Sequence, residues 1–263
     1  MSKRVVVIAD PHCGHLFGLT PPGWWASDET TSERLSKASA FQRELWDFYV
    51  TEIEKLKPID ILVANGDAIE GKGDKTGARE LITADRIEQI KMVTEAINLT
   101  EAKAVRACYG TAFHCGRDED FEALLPKYLD CQDVKVAGHL FLDVNGCNFD
   151  IKHKVGRSAI PHGRATPLMR AELWNSLWAM RDRQPQADVI IRSHVHYYGR
   201  WQDDECIAIS TPALQYNTIF GIRECEGIVN VGFVCIDVDD DGEVTDQCIL
   251  AKFDALKVSA ESL

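Results

Sequence analysis

Val189-Ile190-Ile191-Arg192-Ser193-His194-Val195-His196 is the stretch on which the fold of this chain turns. An apolar, β-branched run ends in two histidines spaced i, i+2. Alternate side chains of a strand share a side, so the run predicts His194 and His196 pointing the same way. Two imidazoles at the end of a buried strand suit a core poorly but make a good pair of metal ligands. Two other stretches offer partners: Val5-Val6-Val7-Ile8-Ala9-Asp10-Pro11-His12 and Ile61-Leu62-Val63-Ala64-Asn65-Gly66-Asp67. Each is a short apolar run that stops abruptly at a carboxylate, and the first adds a histidine.

The surrounding chain reads as strand and helix in alternation. Arg4 to Ala9 predicts a strand buried on both faces. Residues 11 to 31 predict a loop, broken by Gly14, Gly18, Pro21, Pro22 and Gly23, and an insertion at about 13–31 carries Trp24 and Trp25. Those tryptophans can serve as a lid or a stacking platform for a base, but packing over the core is the preferred reading. Helical spacing runs from Thr31 to Lys57 and from Arg79 to Leu99, with Ile59 to Ala64 as a strand between. After Asp67 the loop Glu70-Gly71-Lys72-Gly73-Asp74-Lys75 reads as polar and mobile. Lys103 to Tyr109 is a third strand, ending at Gly110-Thr111.

That order implies a parallel sheet, whose functional groups collect at the strands' C-terminal ends. Beyond it come a short helix at Glu119–Leu129 and an alternating stretch from Val134 to Val155 around the turn signal Asn145-Gly146. This places His153 late in the return strand. A helix at Leu168–Arg183 leads to the strand at Ala187–Arg192. Gly227–Asp237 and Glu243–Phe253 flank a turn at Asp240-Asp241-Gly242, which lacks the pattern of a calcium loop. With no repeat or linker, the expectation is one α/β domain over 1–263: a four-layer α/β/β/α sandwich of two mixed β-sheets flanked by helices.

Composition narrows the function. The 263 residues are 45% hydrophobic and 27% charged, ordinary for a globular protein. A net charge of −12 argues against a general electrostatic grip on nucleic acid or an anionic membrane. The 9 cysteines include no Cys-x-x-Cys pair, so they read as free thiols of a cytoplasmic protein. No run is long enough for a membrane span.

Asp10, His12, Asp67, His153, His194 and His196 thus follow buried runs, one after another. Singly, each has a bland reading: an Asp after Gly is often a turn residue, and a lone His is more often hydrogen-bonded structure. Together they point to metal. A mixed Asp and His set suits borderline divalent ions such as manganese, iron, nickel or zinc. So many ligands exceed one tetrahedral ion but fit two, with a carboxylate bridging and the ions about 3.5–4 Å apart.

In these motifs the sequence resembles the calcineurin-like metallophosphoesterase family: Asp10-Pro11-His12, Gly66-Asp67, Gly110-Thr111 with His114, His153, and Ser193-His194-Val195-His196, in the family's order over most of the chain. The resemblance implies that Asp10, His12 and His196 hold one metal and His153 and His194 the other, with Asp67 bridging. It implies two divalent ions, manganese first, and His114 as the catalytic histidine at the leaving oxygen. A hydroxide bridging the metals would attack phosphorus in line. The chain departs from the family where Thr111 stands in place of an asparagine ligand. A hydroxyl is a weaker neutral donor, so Thr111 is a weak ligand or acts indirectly. Ser193 stands where the family has Gly.

From Lys152 to Arg170 the chain carries Lys152, Lys154, Arg157, Arg164 and Arg170 with no acidic residue. This is either a solvated loop or a phosphate clamp in which Arg157 or Arg164 grips the substrate. The expected substrate is a phosphoester, with phosphodiesters slightly favoured: a nucleotide or a single-stranded nucleic-acid end. The alternatives are a phosphomonoesterase acting on something small, a non-catalytic metal-binding scaffold of the same fold, and a zinc amidohydrolase, which the motif order fits poorly.

Overall fold

In β1 (Lys3–Ile8), Val5 and Val7 turn to one side and Val6 and Ile8 to the other, and all are fully buried. A strand with no polar side must be covered twice. The computed structural model, which describes residues 1–27, 32–73, 77–115, 120–158, 160–224 and 227–253, shows how. Val6 and Ile8 join Leu62 and Ala64 of β2 (Ile61–Asn65) under α1 (Glu33–Leu56) and α2 (Arg86–Asn98). Val5, Val7 and Val63 face the other way, onto Phe149 and Ile151 of a second sheet. Beyond that sheet, Ile190 and Ala208 pack under Leu168 of α5 (Thr166–Ala179). Helices, sheet, sheet and helix form the predicted four layers.

The first sheet has the order β11-β10-β1-β2-β3-β4. β1, β2, β3 (Ala104–Cys108) and β4 (Val134–Ala137) run parallel, while β10 (Gly232–Val238) and β11 (Val244–Leu250) close one edge antiparallel. The second has the order β5-β6-β7-β9-β8, with β6 (Cys147–Lys154), β7 (Val189–Ser193) and β9 (Ile207–Ser210) parallel. β5 (Leu140–Val144) and β8 (Gly199–Gln202) are its antiparallel edges. Both sheets are therefore mixed. Among the described residues, no helix is long and apolar enough to cross a membrane.

Several boundaries differ from the sequence expectation: α5 covers Thr166–Ala179 where the sequence predicts Leu168–Arg183, the strand expected from Gly227 begins at Gly232, and three others have a visible local cause. The helix expected from Arg79 starts at Arg86, because the Asp85 carboxylate accepts the N–H groups of Ile87 and Glu88 and caps it there. The residues before it form turns, with Leu81 bridged to His15. The alternation from Val134 to Val155 is two structures. Val134–Ala137 pairs with β3, and the hairpin proper begins at Leu140, after a bend at Gly138-His139. Its two-residue turn places both Asn145 and Gly146 at positive φ, as the Asn-Gly signal requires. The short helix opens with a 3-10 turn at Phe121–Leu124 before α4 (Leu125–Tyr128), and Glu119 lies outside the described residues.

One buried polar cluster ties the second sheet to its helix. Asp150 Oδ1 lies 2.8 Å from Arg192 Nη1 and 2.8 Å from His139 Nε2, and its Oδ2 accepts Asn175 Nδ2 at 2.9 Å. Burial raises the Asp150 carboxyl, but the hydrogen bond from His139 and the Arg192 charge bring it down to about 2. A depressed carboxylate stabilises the fold above its ordinary pKa of 3.8 and loses that contribution as pH falls through about 2. Asp150→Ala leaves Arg192 buried and unpaired and should cost about 3–5 kcal/mol in urea unfolding at neutral pH. The difference from wild type should shrink as the pH is taken below the ordinary carboxylate range.

Candidate metal centre

Parallel register brings the ends of β1 and β2 side by side, with Ile8 opposite Ala64. The two chains then leave the sheet together: Asp10 N–H donates to Gly66 O and His12 N–H to Asp67 O, each at 3.1 Å. Gly66 sits at φ 81°, and a Cβ there would lie 2.5 Å from the ring of His153. Gly110, after β3, approaches so closely that a Cβ would lie 2.2 Å from Asp67 Oδ1. Only glycine fits at either point.

The side chains singled out in the sequence converge here. Asp10 Oδ1 lies 3.2 Å from His196 Nε2 and 3.9 Å from both His12 Nε2 and His153 Nε2. Asp67 Oδ2 lies 3.1 Å from His153 Nε2 and 3.9 Å from His194 Nδ1. Two groups of candidate ligand atoms result, Asp10/His12/His196 and Asp10/Asp67/His153/His194, each with all atoms within 4.8 Å of one another. Asp10 belongs to both groups, whereas Asp67 belongs to the second of them and recurs with His12 and His114 in a third.

His194 and His196 do not follow strand alternation. β7 stops at Ser193, and both histidines have left-handed φ, 75° and 56°. That geometry sends one ring to each group. Asp10, His12 and Asp67 are also left-handed, so most of the non-glycine residues with positive φ among those described are site residues. Each such residue costs about 1–3 kcal/mol, held only because the surroundings over-determine it.

The donor set fits divalent metal by three observations. Asp10 Oδ1 and His153 Nε2 are buried and have no hydrogen-bond partner. His153 Nδ1 lies 2.6 Å from the Asn65 carbonyl, which can only accept, so Nδ1 carries the proton and Nε2 is left for the site. Finally, the buried carboxylates draw positive charge. Burial lowers His153, but Asp67 and Asp10 raise it to about 10; burial raises Asp67, yet His153 holds it well below the ordinary carboxylate range. His12, by contrast, falls to about 4 through burial and the His114 charge.

His114 reaches the site from α3 (Ala112–Cys115), a single turn. Its ring stands edge-on to His12, centroids 4.5 Å apart, and its Nδ1 lies 2.9 Å from the Glu70 carbonyl. With His12 and Asp67 it forms a further group of candidate ligand atoms. Thr111 turns to Asp67: its hydroxyl lies 3.1 Å from Oδ1, and its N–H donates to the same atom. Arg157 and Arg164 both line the adjoining cleft. The Arg164 guanidinium lies 4.4 Å over the Tyr197 ring, and its buried Nε has no partner. Lys152, Lys154 and Arg170 are exposed. Trp24 and Trp25 pack against the helix-side core, and the Trp25 indole donates to Thr20 O, so the lid or stacking role is not theirs. Asp28 to Thr31 of the inserted loop lie outside the described residues.

Two glutamates escaped the sequence reading. Glu70, placed in a loop expected to be mobile, is buried, and its neighbour Gly71 is held at both N–H and C=O by Gln89. Glu70 Oε2 lies 3.0 Å from His12 Nδ1 and 3.6 Å from His114 Nδ1. The nearer contact is off the hydrogen-bonding line and so electrostatic. Burial opposes it, but His12 brings the Glu70 carboxyl to about 2. Glu122 accepts Ala68 N–H at 2.8 Å and Gly110 N–H at 2.7 Å, pinning the turns on either side of Asp67, and burial pushes it to about 7. Glu70 follows Asp67 by three residues, a signal available in retrospect. Nothing in the sequence marks Glu122.

No protein-family model matches the sequence, and no curated protein matches it. Similar solved structures include an archaeal phosphodiesterase, 12% identical, TM-score 0.45, covering 94% of this chain and 99% of that one. Vps29 from Entamoeba histolytica complexed with zinc is 14% identical, TM-score 0.42, covering 94% and 98%. A predicted phosphoesterase from Streptococcus pneumoniae is 10% identical, TM-score 0.41, covering 95% and 99%.

Asp67→Ala should abolish metal occupancy, read by elemental analysis of protein reloaded after chelation. Metal-stripped Asp10→Asn should bind no metal at either group and melt lower than wild type, because Asn tolerates left-handed φ but removes the buried charge that faces His196 and His153.

Proposed function

We propose that this chain is a phosphoesterase using two divalent ions, manganese first, held by Asp10/His12/His196 and by His153/His194 with Asp67, and that it favours phosphodiesters. The observation that supports this most directly is the pair of adjoining Asp/His groups beside a cleft, with Asp10 common to both and Asp67 in the second. Divalent ions held there would polarise phosphoryl oxygens and lower the pKa of water at neutral pH.

The chain's own residues do the rest. Arg157 and Arg164 supply the cations a bound phosphate requires, and Tyr197 keeps the Arg164 fork oriented by stacking. His114, with Nδ1 donating to Glu70 O, presents Nε2 as the group that protonates or stabilises the leaving oxygen. Glu70 stands behind both rings, its Oε2 3.0 Å from His12 Nδ1 and 3.6 Å from His114 Nδ1. Phe113 and Tyr216 line the cleft where the tryptophans do not, and give a nucleobase an aromatic neighbour. The described cysteines are free thiols, which suits a cytoplasmic setting.

One observation favours a second reading, a metal-binding scaffold without catalysis: the Thr111 hydroxyl, in the asparagine's place, is committed to Asp67. The test is hydrolysis of a chromogenic phosphodiester and its monoester counterpart by chelator-stripped protein titrated with manganese. Restored cleavage with diester preference is the expected outcome; metal bound with neither substrate cleaved supports the scaffold. In the active enzyme, His114→Ala should keep its metal and lose about 10²–10⁴ in kcat. Unchanged activity would remove His114 from the mechanism. Arg164→Ala should raise KM by roughly tenfold or more.

A further inference from the structure

α5 is built inside out. Its buried residues are Pro167, Leu168 and the amide Asn175, which donates to Asp150 and accepts the Ala187 N–H. Its outward side carries Met169, Leu173, Trp174, Leu177 and Trp178, with Met180 at the C-cap, exposed by 42, 57, 55, 38, 44 and 80%. At helical spacing, Met169, Leu173, Leu177 and Met180 form one stripe and Trp174 with Trp178 the next. A helix that turns its broad apolar side outward needs cover there as well, and sheet two covers only one side.

We propose that a second copy of this chain covers the other, with the two α5 helices packed antiparallel across a two-fold axis. Three features select this occupant. At those exposures the side chains present about 600 Å² of apolar surface, taking roughly 150–250 Å² for a whole aromatic side chain. That is most of the roughly 800 Å² each partner contributes to a standard interface, and at the upper limit of what a monomer leaves open. The composition, Trp, Met and Leu with exposed Arg170, Arg181 and Arg183 at the margins, is that of an interface centre with a charged rim. And the acidic chain keeps its negative charge off this face. Two chains of net charge −12 repel, but from Thr166 to Met180 the sole acid is Glu172, which accepts the Trp201 indole N–H at 2.9 Å. An isologous contact needs one self-complementary patch, and a straight apolar stripe against its own reversed copy provides it.

The test is sedimentation velocity of the full chain across a concentration series, together with amide exchange of residues 166–180 at both ends of that series. A monomer–dimer equilibrium is expected at micromolar concentration, with exchange in α5 slowing as the concentration rises. Leu173→Arg and Trp174→Arg should each weaken association by at least about tenfold while leaving metal content and the thermal melt unchanged. A chain that stays monomeric throughout overturns the proposal, as does a dimer that both variants leave intact. So does a monomer that binds uncharged phosphatidylcholine vesicles through α5, which would give the face to lipid. Exchange in the wild-type chain needs no variant to fold.

Discussion

Two carboxylates buried at the junction of two sheets are the constraint the rest of the molecule answers to. Asp10 and Asp67 are almost inaccessible to solvent, and like charges so placed are tolerated only if cations sit against them. His153 lies 3.1 Å from Asp67 and His196 3.2 Å from Asp10, and His153 is pushed toward the charged form by the carboxylates. With Nδ1 tied to the Asn65 carbonyl and Nε2 turned inward, His153 is the kind of imidazole on which a metal replaces a proton. Five of the site residues, at the ends of β1, β2 and β7, hold left-handed φ, and their convergence accounts for that strain.

Each sheet alone is an incomplete site. The first supplies the carboxylates and His12, the second supplies His153, His194 and His196, and the inter-sheet core of Val5, Val7, Val63, Phe149 and Ile191 sets their separation. His194 N–H donates directly to Asp10 Oδ2, a bond between the sheets at the centre itself. Asn65 does the same one layer down, donating to Ser193 Oγ at 2.7 Å while its carbonyl orients His153. A repacking of the two sheets by even a fraction of an ångström would therefore be felt at the metal ligands.

Much of this was legible in the chain. The apolar runs marked strands buried on both faces because no polar side exists for water to wet. The abrupt Asp and His at their ends marked the site because they recur after several buried runs, where a turn or a structural hydrogen bond would explain only one at a time. The errors were of local competition. Asp85 offered a better helix start than the apolar spacing from Arg79 could indicate, and one continuous alternation hid a change of sheet at Gly138. Trp24 and Trp25, by contrast, pack against the helix-side core, the reading preferred for them from the sequence. Glu70 sat among glycines and lysines that read as solvent-facing, and only its place between His12 and His114 accounts for its burial.

What the sequence determined by itself was the class of fold and the list of ligand-type side chains, since periodicity and the chemistry of Asp and His are local properties. What the tertiary structure alone decided was the grouping. Asp10 joins both sets, Thr111 serves Asp67, His114 comes within reach of His12, and Glu122 pins two turns from a distant segment. These relations depend on the register of parallel strands and on how two twisted sheets meet. Side chains far apart in the chain acquire a separation only when a core packs between them.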